Sequence, residues 1–296
     1  MNAAIGDAAE WSAWPAPAKL NLFLHIVGRR DDGYHRLQTA FQLLDWGDEV
    51  RLRIRDDGEI RRVDPLPGVV DEADLGVRAA NALKVATGCT LGVEIAIEKR
   101  IPLGGGLGGG SSDAATVLVA LNALWNTGLD EDALAAIGAT LGADVPVFVR
   151  GRSAWAEGVG EELTPVALPE RWYLVVDPGV SVPTRELFQV PELTRNSARL
   201  TIPLFVSGVA TGNAFEPVVR GRFPAVATAL DWLGRFGEAR LSGSGGCVFA
   251  AFPSREAGAA ALAEIPERMR AWLARGVVES PLRRRLEAWQ STRAPA

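Results

Sequence analysis

The feature that most constrains this chain is the run Pro102-Leu103-Gly104-Gly105-Gly106-Leu107-Gly108-Gly109-Gly110-Ser111-Ser112. An alternating apolar segment (Leu91, Val93, Ile95, Ile97) precedes it, and a helical pattern from Asp113 to Trp125 follows. A flexible linker would lie between polar flanks; this run joins two apolar elements. Glycine admits positive φ and close approach of another molecule. Successive N–H groups turned inward make an anion-binding concavity. The next helix N-terminus adds partial positive charge and unpaired donors. The pattern therefore implies a polyphosphate ligand.

Two common phosphate loops fit poorly. A Walker loop needs Lys then Ser or Thr after its last glycine, but Ser111-Ser112 follow Gly110. Gly104, Gly106 and Gly109 satisfy G-x-G-x-x-G. That spacing alone is weak, and Pro102 separates the glycines from their strand at mid-chain, which counts against a dinucleotide fold. The phosphate loop of another kinase type remains.

Composition removes other classes. A chain of 296 residues that is 48% hydrophobic has material for one or two cores. A net charge of −5 argues against nucleic-acid and membrane-surface binding. Two cysteines offer no disulfide framework, so a cytoplasmic setting is expected. No segment reads as a membrane span or a secretory signal. His25 and His35 are the only histidines, too few for a multi-histidine metal site.

Along the chain, residues 1–14 read as a loose leader. Lys19 to Val27 alternates, with Leu20, Leu22, Leu24 and Ile26 on one face and Lys19, Asn21, Phe23 and His25 on the other. That second face fits a half-exposed strand or a site. Leu37–Leu44 and Val50–Ile54 read as two strands, with Asp57-Gly58 as a hairpin turn. The Arg51, Arg53 and Arg55 stripe reads as a solvated face. A helix is expected over 74–87, ended by Gly88, and another after an Asp130 cap, ended by Gly142. Asp144 then lies between a helix C-terminus and an apolar strand, where it can act as a cap, a turn residue or a catalytic group. The Pro-rich stretch 165–170 is the candidate domain boundary. A second glycine turn, Ser242 to Gly246, leads into a strand. Strands and helices in both halves imply an α+β fold.

The glycine run, the 19–27 strand and the late glycine turn together resemble the GHMP kinases, named for galactose, homoserine, mevalonate and phosphomevalonate. That family's loop has the form P-x-x-x-G-L-G-x-G-S-S. Further stretches that carry the resemblance are Pro17-Ala18-Lys19-Leu20-Asn21-Leu22, Asp32-Gly33-Tyr34-His35 and Leu141-Gly142-Ala143-Asp144-Val145-Pro146. The resemblance implies a two-domain fold (15–164 and 165–296) with the active site in the cleft between domains. It implies an ATP- and Mg²⁺-dependent kinase acting on a small molecule, with no nucleic-acid or membrane partner, as a monomer or weak homodimer.

Asp144 would accept the proton of the substrate hydroxyl, and Lys19 would pair with it. Residues 102–112 would hold the ATP phosphates, with Ser111 or Ser112 offering a hydroxyl to Mg²⁺, and Gly243, Ser244 and Gly245 would wrap them. Lys99, with Asp74 and Leu75, would lie near adenine. Asp74 stands where many relatives are expected to have Asn, so the amide donor is lost. Tyr34 and Phe188 match aromatics that stack on a cytosine ring, and His35 would read its polar edge. Asn21, with His25 on the same face, and Thr184 would meet the remainder of a cytidine diphosphate-linked polyol. Other acceptors in the family (homoserine, mevalonate, a sugar) have no use for a cytosine stacker. A non-catalytic nucleotide-binding protein would have no need of both Lys19 and Asp144.

Overall fold

Two long strands organise the molecule, a computed structural model that describes residues 10–64, 73–209 and 211–292. β1 (Ser12–Arg29) and β2 (His35–Arg55) run antiparallel, joined at the turn that holds Tyr34. β2 also pairs with β4 (Gly92–Glu98), with β5 (Ala154–Glu157) and with the end of β10 (Arg270–Val277). β10 continues onto β7 (Trp172–Asp177), then β9 (Val248–Phe252) and β8 (Ala239–Leu241). β3 (Ile60–Arg62) lies parallel to β4, and β6 (Glu162–Pro165) closes the β5 edge. One ten-stranded sheet thus links both halves.

Helices bury the apolar faces of this sheet. α1 (Leu75–Thr87), α2 (Gly109–Leu124), α3 (Glu131–Leu141) and α4 (Val145–Arg150) cover the first half around Leu83, Ile95, Val117, Leu121 and Phe148. The second half packs α5 (Thr184–Leu187), α7 (Glu216–Arg222), α8 (Pro224–Leu233) and α9 (Arg255–Leu262) around Leu174, Phe215, Val219 and Leu230. α6 (Ile202–Val206) lies beside Phe23 and Trp155. Leu20, Leu107, Val175 and Phe249 form a third cluster that joins the two cores. The fold is α+β, as expected.

The local caps follow their sequence signals. Asp74 accepts from Gly76 and Val77 N–H at the start of α1, and Gly88 ends it in the left-handed region. Asp130 caps α3 through Ala133 N–H. The arginine stripe is solvated and paired: Arg53 and Arg55 meet Glu94, and Arg51 meets Glu49.

Several expectations are corrected. Ser12 to Trp14 belong to β1 rather than to a leader, because Trp14 is fully buried in the first core; residues 1–9 lie outside the described residues. The two strands expected over 37–54 are one strand, β2. Asp57-Gly58 makes no hairpin, since β3 pairs with β4. Val145–Val149 is helix α4, not a strand. The unit expected over 165–296 does not close on itself: α10 (Pro281–Ser291) returns to the first core through Leu282, Leu286 and Trp289. Finally, the alternation of β1 breaks at a register shift between Asn21 and Leu24. Asn21 stands opposite Phe41 and Leu24 opposite Thr39, so all four share one face.

Candidate active site

A cavity of about 840 Å³ opens where the two cores meet. Its floor is the shared face of β1 and β2: Lys19, Asn21, Leu24, Thr39 and Phe41. Gly104, Gly106 and Gly108 form one wall, with Ala143, Asp144 and Gly160 beside them. Gly243 packs directly against Gly106, with Ser244 beside it; Thr184, Arg185 and Phe188 also line the cavity, and Arg29 with Asp32 to His35 forms the mouth.

The glycine loop is stitched to its surroundings rather than loose. Lys19 N–H donates to Leu107 O at 3.0 Å, and Cys247 N–H to Gly105 O at 3.0 Å. Ser242 Oγ donates to Gly106 O, also at 3.0 Å. Gly106 has φ +75°, and a Cβ there would lie 2.1 Å from Ser242 O. Gly108 has φ +76°, and a Cβ would press on Phe148 and on Lys19 Cε at 3.1 Å. The loop must therefore be glycine at both positions to pass between the late turn and the lysine. Gly109 to Ser112 already form the first turn of α2, one turn earlier than expected, with Ser112 N–H donating to Gly108 O. The N–H groups of 109–111 thus have no acceptor within the helix and are left for an anion.

Lys19 Nζ donates to Asn21 Oδ1 at 2.5 Å and to Gly106 O at 3.0 Å, and forms an ion pair with Asp144 Oδ2 at 3.3 Å. Its side chain is 4% exposed, whereas that of Asp144 is 32% exposed and open to the cavity. Asp144 is the N-cap residue of α4, but its side chain makes no capping hydrogen bond, which leaves the carboxylate to Lys19 and the cavity. Asn21 Nδ2 donates to Thr39 Oγ1 at 2.9 Å, which fixes the amide with its oxygen on the lysine. In the late turn, Ser244 Oγ meets Thr184 Oγ1 at 2.5 Å.

At the mouth, Tyr34 is 66% exposed. The Phe188 ring, expected to face a base with Tyr34, carries the His35 ring on its face (centroids 4.8 Å, 20°). Burial holds the His35 imidazole below its ordinary pKa, and the Arg195 and Arg29 charges push the same way. His25 does not reach the site. The register shift turns it outward, with Nδ1 3.1 Å from Ala198 O and its ring on the edge of Phe23.

Lys99 Nζ lies 2.5 Å from Asp48 and 2.6 Å from Asp113, beside Gly109 at the start of α2 and outside the lining of this cavity. Asp48 in turn accepts from Arg100 and Ile101 N–H, so this buried cluster sets the entry to the glycine loop. Asp74 is equally committed, with one oxygen capping α1 and the other on Arg62. Leu75 packs near Gly110. Pro102, Leu103, Gly105, Leu107, Ser111, Ser112 and Gly245 lie outside the lining; Leu107 instead anchors the loop in the core.

Burial pushes the Asp113 carboxyl up to about 7, against the pull of Lys99. A carboxyl with a raised folded pKa costs stability as pH climbs from the ordinary aspartate range through that value. Asp113→Asn removes this cost and leaves Lys99 its Asp48 partner. The Tm difference, variant minus wild type, is therefore expected to be larger at pH 8 than at pH 5. A difference independent of pH would contradict the assignment.

Thr39 and Phe41 were missed in the sequence, although pairing with Asn21 would have exposed them. Asn213 was missed as well: its amide donates to Leu241 O at 2.9 Å and Gly243 O at 2.7 Å, holding the late turn. Arg185 had no signal, since α5 is a single turn.

The chain matches known proteins throughout this region. The family described as "GHMP kinases N terminal domain" matches residues 74–152, and "GHMP kinases C terminal" matches 193–271. The expected break at 165 lies between them. A relative from Halorhodospira halophila named 4-diphosphocytidyl-2-C-methyl-D-erythritol kinase is 62% identical over 92% of this chain and 96% of its own. One of that name from Xanthomonas axonopodis pv. citri is also 62% identical, over 92% and 93%. A crystal structure of 4-(cytidine 5'-diphospho)-2C-methyl-D-erythritol kinase superposes with TM-score 0.80 at 35% identity, covering 90% of this chain and 100% of that one. A homoserine kinase from Cytophaga hutchinsonii shares the fold at TM-score 0.68. With its glycine loop, late turn and both family segments in place, this chain belongs to the GHMP kinases.

Proposed function

We infer that this enzyme transfers the γ-phosphoryl group of ATP to the 2-hydroxyl of 4-diphosphocytidyl-2-C-methyl-D-erythritol, a step of isoprenoid precursor synthesis. The observation that carries the mechanism is the Lys19–Asp144 pair, set on the cavity floor between the glycine loop and the aromatic mouth. Its relatives named for this reaction carry the substrate assignment.

Asp144 accepts the proton of the attacking hydroxyl as the bond to phosphorus forms. Lys19 holds that carboxylate in place and offsets negative charge near the transferring phosphate. The glycine loop and α2 N-terminus cradle the ATP phosphates, and Ser244 with Gly243 closes on them from the other half. Asn21 and Thr184 contact the acceptor. Tyr34, His35 and Phe188 receive cytosine, with neutral His35 able to donate or accept at the base edge. Transfer is direct, because one carboxylate and bound ATP suffice without a phosphoenzyme.

Among the described residues no group of three His, Cys, Asp or Glu side chains converges on a metal position. Mg²⁺ would enter with the ATP phosphates, as it commonly does in phosphoryl transfer. Ser111, half-buried at the first turn of α2, is the side chain placed to meet it; Ser112 is fully buried. Bound Mg²⁺ would neutralise phosphate charge during transfer.

No helix among the described residues is long and apolar enough to cross a membrane, and Cys89 and Cys247 are unpaired. Free thiols fit a reducing cytoplasm, where we propose the enzyme works as a monomer or weak homodimer.

The cytidine assignment is tested by Tyr34→Ala. The KM for the cytidine substrate is expected to rise at least about tenfold, the scale of losing one stacking partner, with the KM for ATP unchanged. CDP is expected to compete with the cytidine substrate. Equal effects on both KM values, or no competition by CDP, would contradict the base site.

A further inference from the structure

Behind the aromatic wall of the cavity lies an arginine with no acid partner. Among the described residues, Arg195 forms no ion pair. Its guanidinium is spent on backbone carbonyls: Nη2 donates to Phe188 O at 2.9 Å and Val190 O at 2.7 Å. Nη1 donates to Leu193 O at 3.1 Å and lies 3.5 Å from Pro191 O. These carbonyls follow α5, a helix of four residues. So short a helix has little stability of its own, and the carbonyls of the segment that follows it take their donors from Arg195. Phe188 is the residue that ends it. Its ring is pinned edge-on by buried Phe215 (5.0 Å, 84°) and carries His35 on its face. His35 Nε2 is buried without a hydrogen-bond partner.

We propose that Arg195 is a positioning residue: it fixes the Phe188 backbone, and through that ring the stacked His35, at the end of the cavity that takes the nucleobase. Its role in substrate binding rests on the cytidine reading above; its role in placing Phe188 and His35 does not. A planar fork with five donors suits the task, because one side chain bridges several carbonyls at fixed angles. The same charge acts on His35 together with Arg29 and with burial, all disfavouring the imidazolium. Arg195 thus orders the wall and adds to the burial that disfavours its imidazolium.

The test compares Arg195→Gln and Arg195→Lys in the full chain. The protein has two histidines, so NMR resolves the His35 titration with His25 as an internal control. In Arg195→Gln the His35 pKa is expected to rise while that of His25 stays fixed. The KM for the cytidine substrate is expected to rise about tenfold, as for loss of a charge-assisted contact, with the KM for ATP within about twofold. Arg195→Lys, which keeps the charge but not the fork, is expected to restore the His35 titration and only part of the KM. An unchanged His35 titration in Arg195→Gln overturns the proposal whatever the substrate. Equal rises in both KM values overturn it as well. If wild-type enzyme does not turn over the cytidine compound, the functional reading falls, and NMR contacts between the Phe188 and His35 rings, expected to weaken in Arg195→Gln and overturning the proposal if unchanged, still decide the positioning role.

Discussion

Asp144→Asn is expected to lower kcat by at least about 10²-fold, the usual scale for a positioned general base, while ATP binding stays within about threefold. The substitution is nearly isosteric. Lys19 keeps its hydrogen bonds to Asn21 Oδ1 and Gly106 O, so the floor of the site keeps its shape. What is lost is the proton acceptor, and with it the charge that Lys19 balances. The effect should fall on kcat rather than on either KM, since the interaction matters most as the hydroxyl loses its proton. Steady-state kinetics with both substrates decides this, and near-normal turnover would remove Asp144 from the mechanism.

Gly106→Ala is expected to have a comparable effect by a different route. A Cβ would stand 2.1 Å from Ser242 O and 3.2 Å from Gly245 N, both backbone atoms that no rotamer change can move. The positive φ of +75° adds about 1–2 kcal/mol of strain. Relief requires the glycine loop and the late turn to separate, which breaks the Ser242 and Lys19 bonds to Gly106 O. The KM for ATP should rise at least about tenfold, with kcat and Tm both falling. Gly208→Ala separates the two causes. Gly208 has φ +83° but open space around it, so only strain applies. A small fall in Tm with unchanged ATP kinetics is expected there. If both variants behave alike, the contact between loop and turn is not what shapes the phosphate site.

What the sequence revealed depended on how local the signal was. Glycines, caps and helix stops act within a few residues, so Gly88, Asp130 and Gly142 were legible, whereas Asp74 read as the first helical residue and proved to be its cap. The Lys19–Asp144 pair came from the family resemblance, and the structure brings the two together across 125 positions of chain. Long-range register was not legible. The shift between Asn21 and Leu24 reverses the faces of β1, which sends His25 outward and brings Leu24 inward. Nothing in the alternation of residues 19–27 announces it. Pairing of the apolar stretches was equally hidden, so α4 read as a strand and the C-terminal helix gave no sign of returning to the first core. Lys99 shows a third limit. Its neighbourhood was anticipated, but Asp48 and Asp113 claim it first, and that competition is set by packing rather than by spacing.

The most direct test is ADP release by the purified protein with ATP, Mg²⁺ and each of 4-diphosphocytidyl-2-C-methyl-D-erythritol, homoserine, mevalonate and galactose. Turnover with the cytidine compound alone is the expected result, and phosphorus should appear on its 2-hydroxyl. Turnover with another acceptor instead would contradict the cytidine site and leave only the Lys19–Asp144 chemistry.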